Sequence, residues 1–195
     1  MKLKQTLIAV AVALTPMAAM AGGSLDVFYV NQDLDINGGP NDDGDGFGFR
    51  GQAVLGQGVS LTALYQDADL DTANTNLQET RIGLSYDTKL QGINVGAGLE
   101  SVNLNSNGLG ISARGYSVNG HASIQLIDQL TGYASIGYTD VNSLDGIEYT
   151  VGARFAANKQ VSVFAEYRYA DMDDNTGGNL DPELGTLRVG AGYAF

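Results

Sequence analysis

The sequence predicts an all-β fold, an antiparallel up-and-down transmembrane β-barrel of ten strands with eight as the alternative count. Three observations predict it. The last nine residues alternate, with Leu187, Val189, Ala191, Tyr193 and Phe195 on one face and Arg188, Gly190 and Gly192 on the other. Strand side chains alternate with a period of two, so this segment is apolar on one side and small or polar on the other. Such a polar face is a poor core but a good lining for a narrow wet interior, as a membrane barrel requires. Secondly, runs of about nine to twelve residues, the length with which a tilted strand crosses a bilayer, recur from Gly22 onward. Thirdly, the chain is 44% hydrophobic, yet it has 27 glycines, no tryptophan and no cysteine. That is an awkward composition for a soluble core, and it excludes a disulfide framework. A closed ladder in lipid needs only a thin outer apolar band and satisfies every backbone group internally.

The amino terminus stands apart from this pattern. Met1-Lys2-Leu3-Lys4 is basic, Leu7 to Leu14 is almost wholly apolar, and Ala19-Met20-Ala21 precedes Gly22-Gly23. These are the three parts of a secretory signal peptide over residues 1–21, cleaved after Ala21, and the apolar run is shorter than the roughly 18 to 20 residues of a spanning helix. Residues 22–195 form the barrel domain. Removing Lys2 and Lys4 leaves 8 of the 10 basic residues against 22 acidic ones, a formal charge of −14, which excludes a nucleic-acid binder.

In chain order, the first strand covers Leu25 to Asn31, and both Leu25/Val27/Tyr29 and Phe28/Val30 are candidates for its lipid face. A loop rich in Asp, Asn and Gly follows over Gln32 to Asp45. Strand two, Gly46 to Gly56, sets Phe47, Phe49, Ala53 and Leu55 against Gly48, Arg50 and Gln52, and Gln57-Gly58 turns the chain into strand three, Val59 to Asp67. Beyond an acidic loop from Ala68 to Gln78, strand four, Glu79 to Asp87, sets Ile82, Leu84 and Tyr86 against Arg81, Gly83 and Ser85. Strand five, Ile93 to Asn103, and strand six, Gly110 to Ile124, flank a neutral loop rich in Asn and Ser. Parity in strand six changes near Arg114 or Gly115, which predicts a bulge there. Strands seven (Leu130 to Asp140), eight (Gly146 to Ala156) and nine (Val161 to Asp171) precede a last acidic loop, Met172 to Glu183, and the closing strand. Ten strands with both ends on one side give five longer loops and four short turns, the arrangement of bacterial barrels.

Aromatic placement argues against the alternative, an exported soluble β-sandwich. Of 10 Tyr and 6 Phe, only Phe28, Tyr133 and Phe164 have clear inward parity. Tyr29, Phe47, Tyr65, Tyr138, Tyr149 and Tyr169 fall toward the loops, and Tyr86, Phe155, Tyr193 and Phe195 toward the turns, as two girdles at two interfaces. The segment Glu166-Tyr167-Arg168-Tyr169, followed by an acidic loop and the strand ending at Phe195, resembles the closing hairpin of the OmpA/OmpX-like small outer-membrane barrel proteins, within the broader porin superfamily. That resemblance implies a bacterial outer-membrane location at the cell surface of a Gram-negative envelope. It also implies a terminal strand, with Tyr193 and Phe195, read as an assembly signal by the barrel assembly machinery. Outer-membrane lipid and lipopolysaccharide are the implied surroundings, with an extracellular ligand as a further partner. Family members serve as structural, adhesive or weakly pore-forming surface proteins.

No catalytic residue is assigned. Barrel enzymes acting on lipid or peptide use His with acidic or Ser partners near the outer rim, whereas the single histidine, His121, lies near the turn at Gln125 to Gln129 and faces inward with Asn119 and Ser123. A lone lumen histidine there reads as a hydrogen-bonded filler. Asp33-x-Asp35-x-Asn37-Gly38 and Asn41-x-Asp43-x-Asp45-Gly46 echo the start of a calcium loop. Position twelve falls on Gly44 or Gln52 instead of a bidentate Glu, so neither a dedicated metal site nor a cofactor is expected. Weak divalent cations between these acids and lipopolysaccharide are the intermediate possibility.

The lumen carries the strongest site pattern. Arg50, Arg81, Arg154, Arg168 and Arg188 and Asp26, Glu79, Glu100, Glu148 and Glu166 all have inward parity, five cations against five anions. Counted from the turns, Arg81 and Glu100 lie at similar heights on neighbouring strands, and so do Glu148, Arg168 and Arg188. Nearby glycines leave room for long side chains, and arginine forks bidentately onto carboxylates. The expectation is a charge-paired plug in a non-enzymatic structural or surface-interaction protein acting through acidic loops. A small, weakly conducting porin-like channel is the alternative, and an outer-membrane enzyme the lesser one.

Overall fold

A computed structural model of the protein describes residues 22–36, 41–71, 75–106, 111–142, 144–174 and 181–195. The predicted signal peptide lies outside these residues. The chain forms ten strands: β1 (Gly23–Ile36), β2 (Asp42–Gly56), β3 (Val59–Leu70), β4 (Thr75–Leu90), β5 (Ile93–Ser106), β6 (Ile111–Ile127), β7 (Leu130–Val141), β8 (Leu144–Ala156), β9 (Val161–Asp174) and β10 (Pro182–Ala194). Each pairs antiparallel with its sequence neighbours, and β1 closes onto β10 to complete the barrel. The ten-strand reading holds and the eight-strand alternative does not.

Short turns gather at the end that carries both described termini. Gln57-Gly58 and Gln91-Gly92 are two-residue turns with positive φ at both positions, +52°/+83° and +51°/+88°. That left-handed pair matches the twist of the flanking strands, and glycine takes the second position at no steric cost. At the seam, Gly23 donates its N–H to the Phe195 carbonyl at 3.1 Å and Phe195 returns the bond to Gly23 at 3.0 Å. The Phe195 ring lies so close over Gly23 that a Cβ there would meet it at 2.9 Å. The terminal aromatic therefore packs across the joint between first and last strands.

Parity in β1 is settled by burial. Val27 and Tyr29 are exposed to the outside, whereas Phe28 and Val30 point inward and are buried. The outer band includes Ile82, Leu84, Leu99, Val118, Ile136, Val151, Val163 and Val189, all exposed, as a lipid-facing surface requires. Tyr29 and Phe47 meet edge to face at 5.9 Å, and Phe49 stacks on Tyr65 at 5.2 Å, on this outer surface.

Two expectations are corrected. Most strands run farther toward the loop end than apolar periodicity suggested: β1 continues to Ile36 and β2 begins at Asp42, so most of the expected Gln32 to Asp45 loop is paired strand. Strands also extend into the second and last acidic loops, where β3 reaches Leu70, β4 starts at Thr75 and β9 reaches Asp174. The expected bulge near Arg114 or Gly115 is absent, because β5 and β6 pair without a shift from Ser106↔Ile111 to Asn94↔Ser123. The irregularity of β6 lies instead at its turn end, between Gln125 and Ile127. Parity does not change at Arg114; the solvent outside the barrel does. Above the lipid the outer face meets water, so an inward residue such as Ala113 is apolar and mimics a parity switch.

Candidate functional site in the barrel lumen

The lumen is stratified into three layers. At the turn end a cavity of about 660 Å³ opens between the strand ends, lined partly by Asn158, Lys159 and Gln160 of the last turn. Its roof is formed by charged residues. Its shape follows from side-chain size: inward positions on β4 to β7 include Ser85, Gly98, Ser135 and Gly137, whereas β2 and β8 place Arg50 and Arg154 at the cavity wall. Phe28 and Phe164, packed edge to face at 6.2 Å, fill the interior behind that wall.

The middle layer brings together all ten charged residues singled out by parity. Arg154 and Arg50 both bind Asp26, at 2.7 and 3.0 Å, and Arg50 also reaches Glu166 at 3.0 Å. Arg188 binds Glu166 at 2.9 Å. Farther toward the loops, Glu79 receives Arg81 at 2.5 Å and Arg168 at 2.7 Å. Glu148 receives the same two arginines, at 2.6 and 3.1 Å, and Glu100 receives Arg81 at 3.3 Å. The two groups join through Arg188, which lies 3.8 Å from Glu79 and donates Nε–H to Gln66 at 2.7 Å, while Gln66 donates to Glu79 at 2.9 Å. Arg81 and Glu100 thus pair as their heights suggested. Arg188 does not meet Glu148, and its carboxylate is its cross-strand neighbour Glu166.

Sequence reasoning missed the residues that complete this layer. Tyr133 donates its hydroxyl to Glu166 at 2.8 Å, and Thr139 donates to Glu148 at 2.8 Å. The Phe164 ring lies under the guanidiniums of Arg154 and Arg50, at 4.7 and 5.2 Å, and Phe28 lies under Arg188 at 5.7 Å. Inward parity was the available signal for all of them, but parity gives a face and not the partner on the far wall. Glycines accommodate the large side chains. A Cβ on Gly152 would meet the Tyr133 ring at 2.5 Å, and one on Gly192 would meet Asp26 at 2.3 Å and Arg154 at 2.5 Å.

The third layer, toward the loops, is largely apolar, with Asp42 and Ser106 buried beside it, and was not anticipated. Leu34, Leu70, Leu77, Val102, Ala113, Val141, Ala170, Met172 and Leu184 form one buried cluster, with Leu104 and Leu144 packed against it. Nine of the ten strands contribute. On the outer surface at the same level the residues are acidic, and the register sets carboxylates directly opposite one another: Asp33 and Asp43, Asp45 and Asp69, Asp35 and Glu183, Asp145 and Asp173. Several are hydrogen-bonded by girdle tyrosines, Tyr138 to Asp145 and Tyr169 to Glu183, both at 2.5 Å. The calcium-loop echo falls here. Asp33 and Asp35 lie on β1 and Asp43 and Asp45 on β2, extended strands and not a ligating loop, while Asn37 and Gly38 lie outside the described residues.

His121 lies at the cavity wall, facing inward near the turn end. Its ring passes over Gly96, where a Cβ would meet Nε2 at 2.3 Å, and reaches Asp87 two strands away at 2.8 Å. Ser85 Oγ donates to Asp87 at 3.5 Å and not to the histidine.

A closed ten-stranded barrel with an apolar outer band, aromatic girdles and a charged layer across its lumen defines the class of membrane-spanning β-barrels. The chain belongs to the outer membrane protein beta-barrel domain family, whose profile matches residues 7–195. Its location is therefore the bacterial outer membrane, with the short turns on the periplasmic side and the loops outside. Comparison with characterised proteins by sequence finds no match. Among solved structures, an outer membrane channel from Pseudomonas putida F1 is similar in fold, with TM-score 0.56 and 9% identity over 90% of this chain and 96% of that one. Neisserial surface protein A matches with TM-score 0.49 and 15% identity over 89% and 97% of the two chains. The Ail attachment protein of Yersinia pestis matches with TM-score 0.39 and 15% identity over 90% and 99%.

Proposed function

We propose that the protein is a non-enzymatic outer-membrane barrel that is closed to solutes and acts through its extracellular surface. The observation supporting this is the series arrangement of the lumen. A solute leaving the periplasmic cavity meets first a network in which every arginine has a carboxylate partner, and then an apolar cluster whose buried members come from eight strands. Passing the first means breaking buried ion pairs, and passing the second means hydrating apolar side chains. The non-enzymatic reading draws on the same geometry. Ser85 donates to Asp87 and leaves His121 without a nucleophile in hand.

With the lumen closed, the outer surface is the place for function. The opposed carboxylates flanking the acidic loops stand at the height of lipopolysaccharide headgroups, where divalent cations would join the two anionic layers, and an extracellular ligand with basic character would find the same surface. Planar-bilayer recording tests the closed barrel. The expected trace shows no steady conductance, and a steady, wide conductance in the unmodified protein overturns the reading in favour of a pore. An acyl-transfer or peptide-cleavage assay in lipopolysaccharide-containing vesicles tests the rest: turnover abolished by His121→Ala would establish an enzyme.

A further inference from the structure

The periplasmic cavity sorts its accessible charges by wall. We infer that it is a blind binding site for a small zwitterion, whose anionic end meets Lys159 and Arg154 and whose ammonium meets Asp87 and Glu100. This goes beyond the surface role proposed above, since it concerns the opposite end of the barrel.

In the closed strand order β10 and β5 stand diametrically opposite one another. Arg50 on β2 and Arg154 on β8 flank β10 symmetrically, Lys159 sits in the turn between β8 and β9, and all three line the cavity. Asp87 on β4 and Glu100 on β5 line the far wall, with His121 beside them on β6. Ion pairing alone would cancel both sets, but the partners are buried unequally. The Arg50 and Arg154 side chains are 27% and 29% exposed, whereas Asp26, which binds both, is 4% exposed and Glu166 is 1% exposed. On the far wall the order reverses: Glu100 is 22% exposed against 9% for its partner Arg81, and Asp87 is 37% exposed against 28% for His121. One wall therefore offers the cavity cations, and the other carboxylates.

Lys159 tips the balance on the cationic wall. Among the described residues it has no carboxylate partner, while Arg50, Arg154 and Arg188 share Asp26 and Glu166. Opposite, Glu100 shares Arg81 with Glu79 and Glu148, and the contacts of Asp87 with His121 and Ser85 leave acceptor sites on its carboxylate. Lys89, farther toward the turn on β4, does not line the cavity. A singly charged ligand meets its complement on one wall and its like on the other, and a neutral ligand gains from neither. A zwitterion complements both at once, in a cleft whose low-dielectric walls focus the field. At about 660 Å³ the cavity lies within the roughly 300–1,000 Å³ range of small-ligand sites. The roof of Arg81, Glu100 and Glu148 closes its far end, so a ligand is held there and not passed on.

A short peptide and the phosphoethanolamine group of a lipid share this chemistry, and the test separates them. The full chain, isotopically labelled in non-ionic detergent micelles at low salt, is titrated by NMR with triglycine and with glycerophosphoethanolamine. Each is compared with counterparts that keep one charged end: N-acetyltriglycine and triglycine amide for the first, glycerol phosphate and ethanolamine for the second. Saturable shifts at His121 and Tyr133 are expected with a Kd of about a millimolar or below, and the tighter zwitterion names the source. It should bind at least about tenfold more tightly than either of its counterparts. Lys159→Gln is expected to weaken it about fivefold or more and to leave the counterpart without an anionic end unaffected. Asp87→Asn should do the same with respect to the counterpart without an ammonium, and Lys159→Gln carries the test alone should Asp87→Asn fail to give a heat-modifiable barrel. No saturable binding of either zwitterion at about 20 mM, some twentyfold above a millimolar Kd, overturns the inference. So do one-ended counterparts that bind as tightly, or unchanged zwitterion affinity in folded Lys159→Gln protein.

Discussion

At the scale of single residues, the interior is held by pairings that tolerate little change. Arg168 is buried and serves Glu79 and Glu148 at once. Arg168→Ala leaves two buried carboxylates short of a cation and is expected to cost about 3–5 kcal/mol, measured by urea unfolding in micelles. Asp173→Ala, on the exposed extracellular surface, is expected to change stability by less than about 0.5 kcal/mol. Equal effects of the two would refute a structural role for the network. Glycine positions offer a second check. At Gly152 the three nearest atoms to an added Cβ all belong to the Tyr133 side chain. Gly152→Ala therefore displaces that ring and its bond to Glu166, with an expected loss of about 1–3 kcal/mol. In the double variant Gly152→Ala/Tyr133→Ala the losses should fall short of additive, because the clash disappears with the ring; strict additivity would show that the two do not compete for one space.

At the scale of elements, the extramembrane ends of the strands carry an uncommon burden. Cross-strand pairs of like charge, such as Asp33 with Asp43 and Asp45 with Asp69, each destabilise a sheet by roughly 0.2–1 kcal/mol. Thermal stability in a non-ionic detergent is accordingly expected to rise between about 0.02 and 0.5 M salt, and Asp43→Asn with Asp69→Asn should reproduce part of that rise at low salt. A melting temperature indifferent to both would mean that the acids are already neutralised. These ends also show where the sequence was legible. Inside the bilayer, alternation separated Ile82, Leu84 and Tyr86 from Arg81, Gly83 and Ser85, and the structure keeps that division. Beyond the bilayer, Leu34, Leu70, Leu77 and Leu184 sit on inward parity among polar or acidic neighbours, and a rule equating apolar with outward reads such stretches as loop. The charge pattern gave the inward face of all ten network residues, yet Arg188 meeting Gln66, 122 positions away, depends on barrel diameter and strand tilt, which no local pattern carries. At the seam, Phe195 bonds Gly23 in both directions. Phe195→Ala is expected to lower the amount of heat-modifiable barrel in the outer membrane while leaving synthesis and export unchanged; undiminished barrel would count against an assembly role.

At the scale of the whole molecule, two seals in series change what a single substitution can do. Arg168→Ala loosens the ionic layer, but the apolar layer above it is intact, so the variant is expected to be less stable and still non-conducting. Opening should require both, as in Arg168→Ala combined with Leu70→Ser and Leu184→Ser, read as new steady conductance in planar bilayers. Conductance from Arg168→Ala alone would show that the apolar cluster does not seal. The outer carboxylates have a further consequence for how the barrel keeps its place. Asp33, Asp43, Asp69, Asp145 and Asp173 stand at the loop end of the strands, so drawing any of those ends back into the bilayer would carry a carboxylate into the hydrocarbon layer. A charge on the lipid face is costliest at the midplane and nearly free at the interface. The acidic collar therefore works as a latch against withdrawal of the barrel toward the periplasm and holds its orientation.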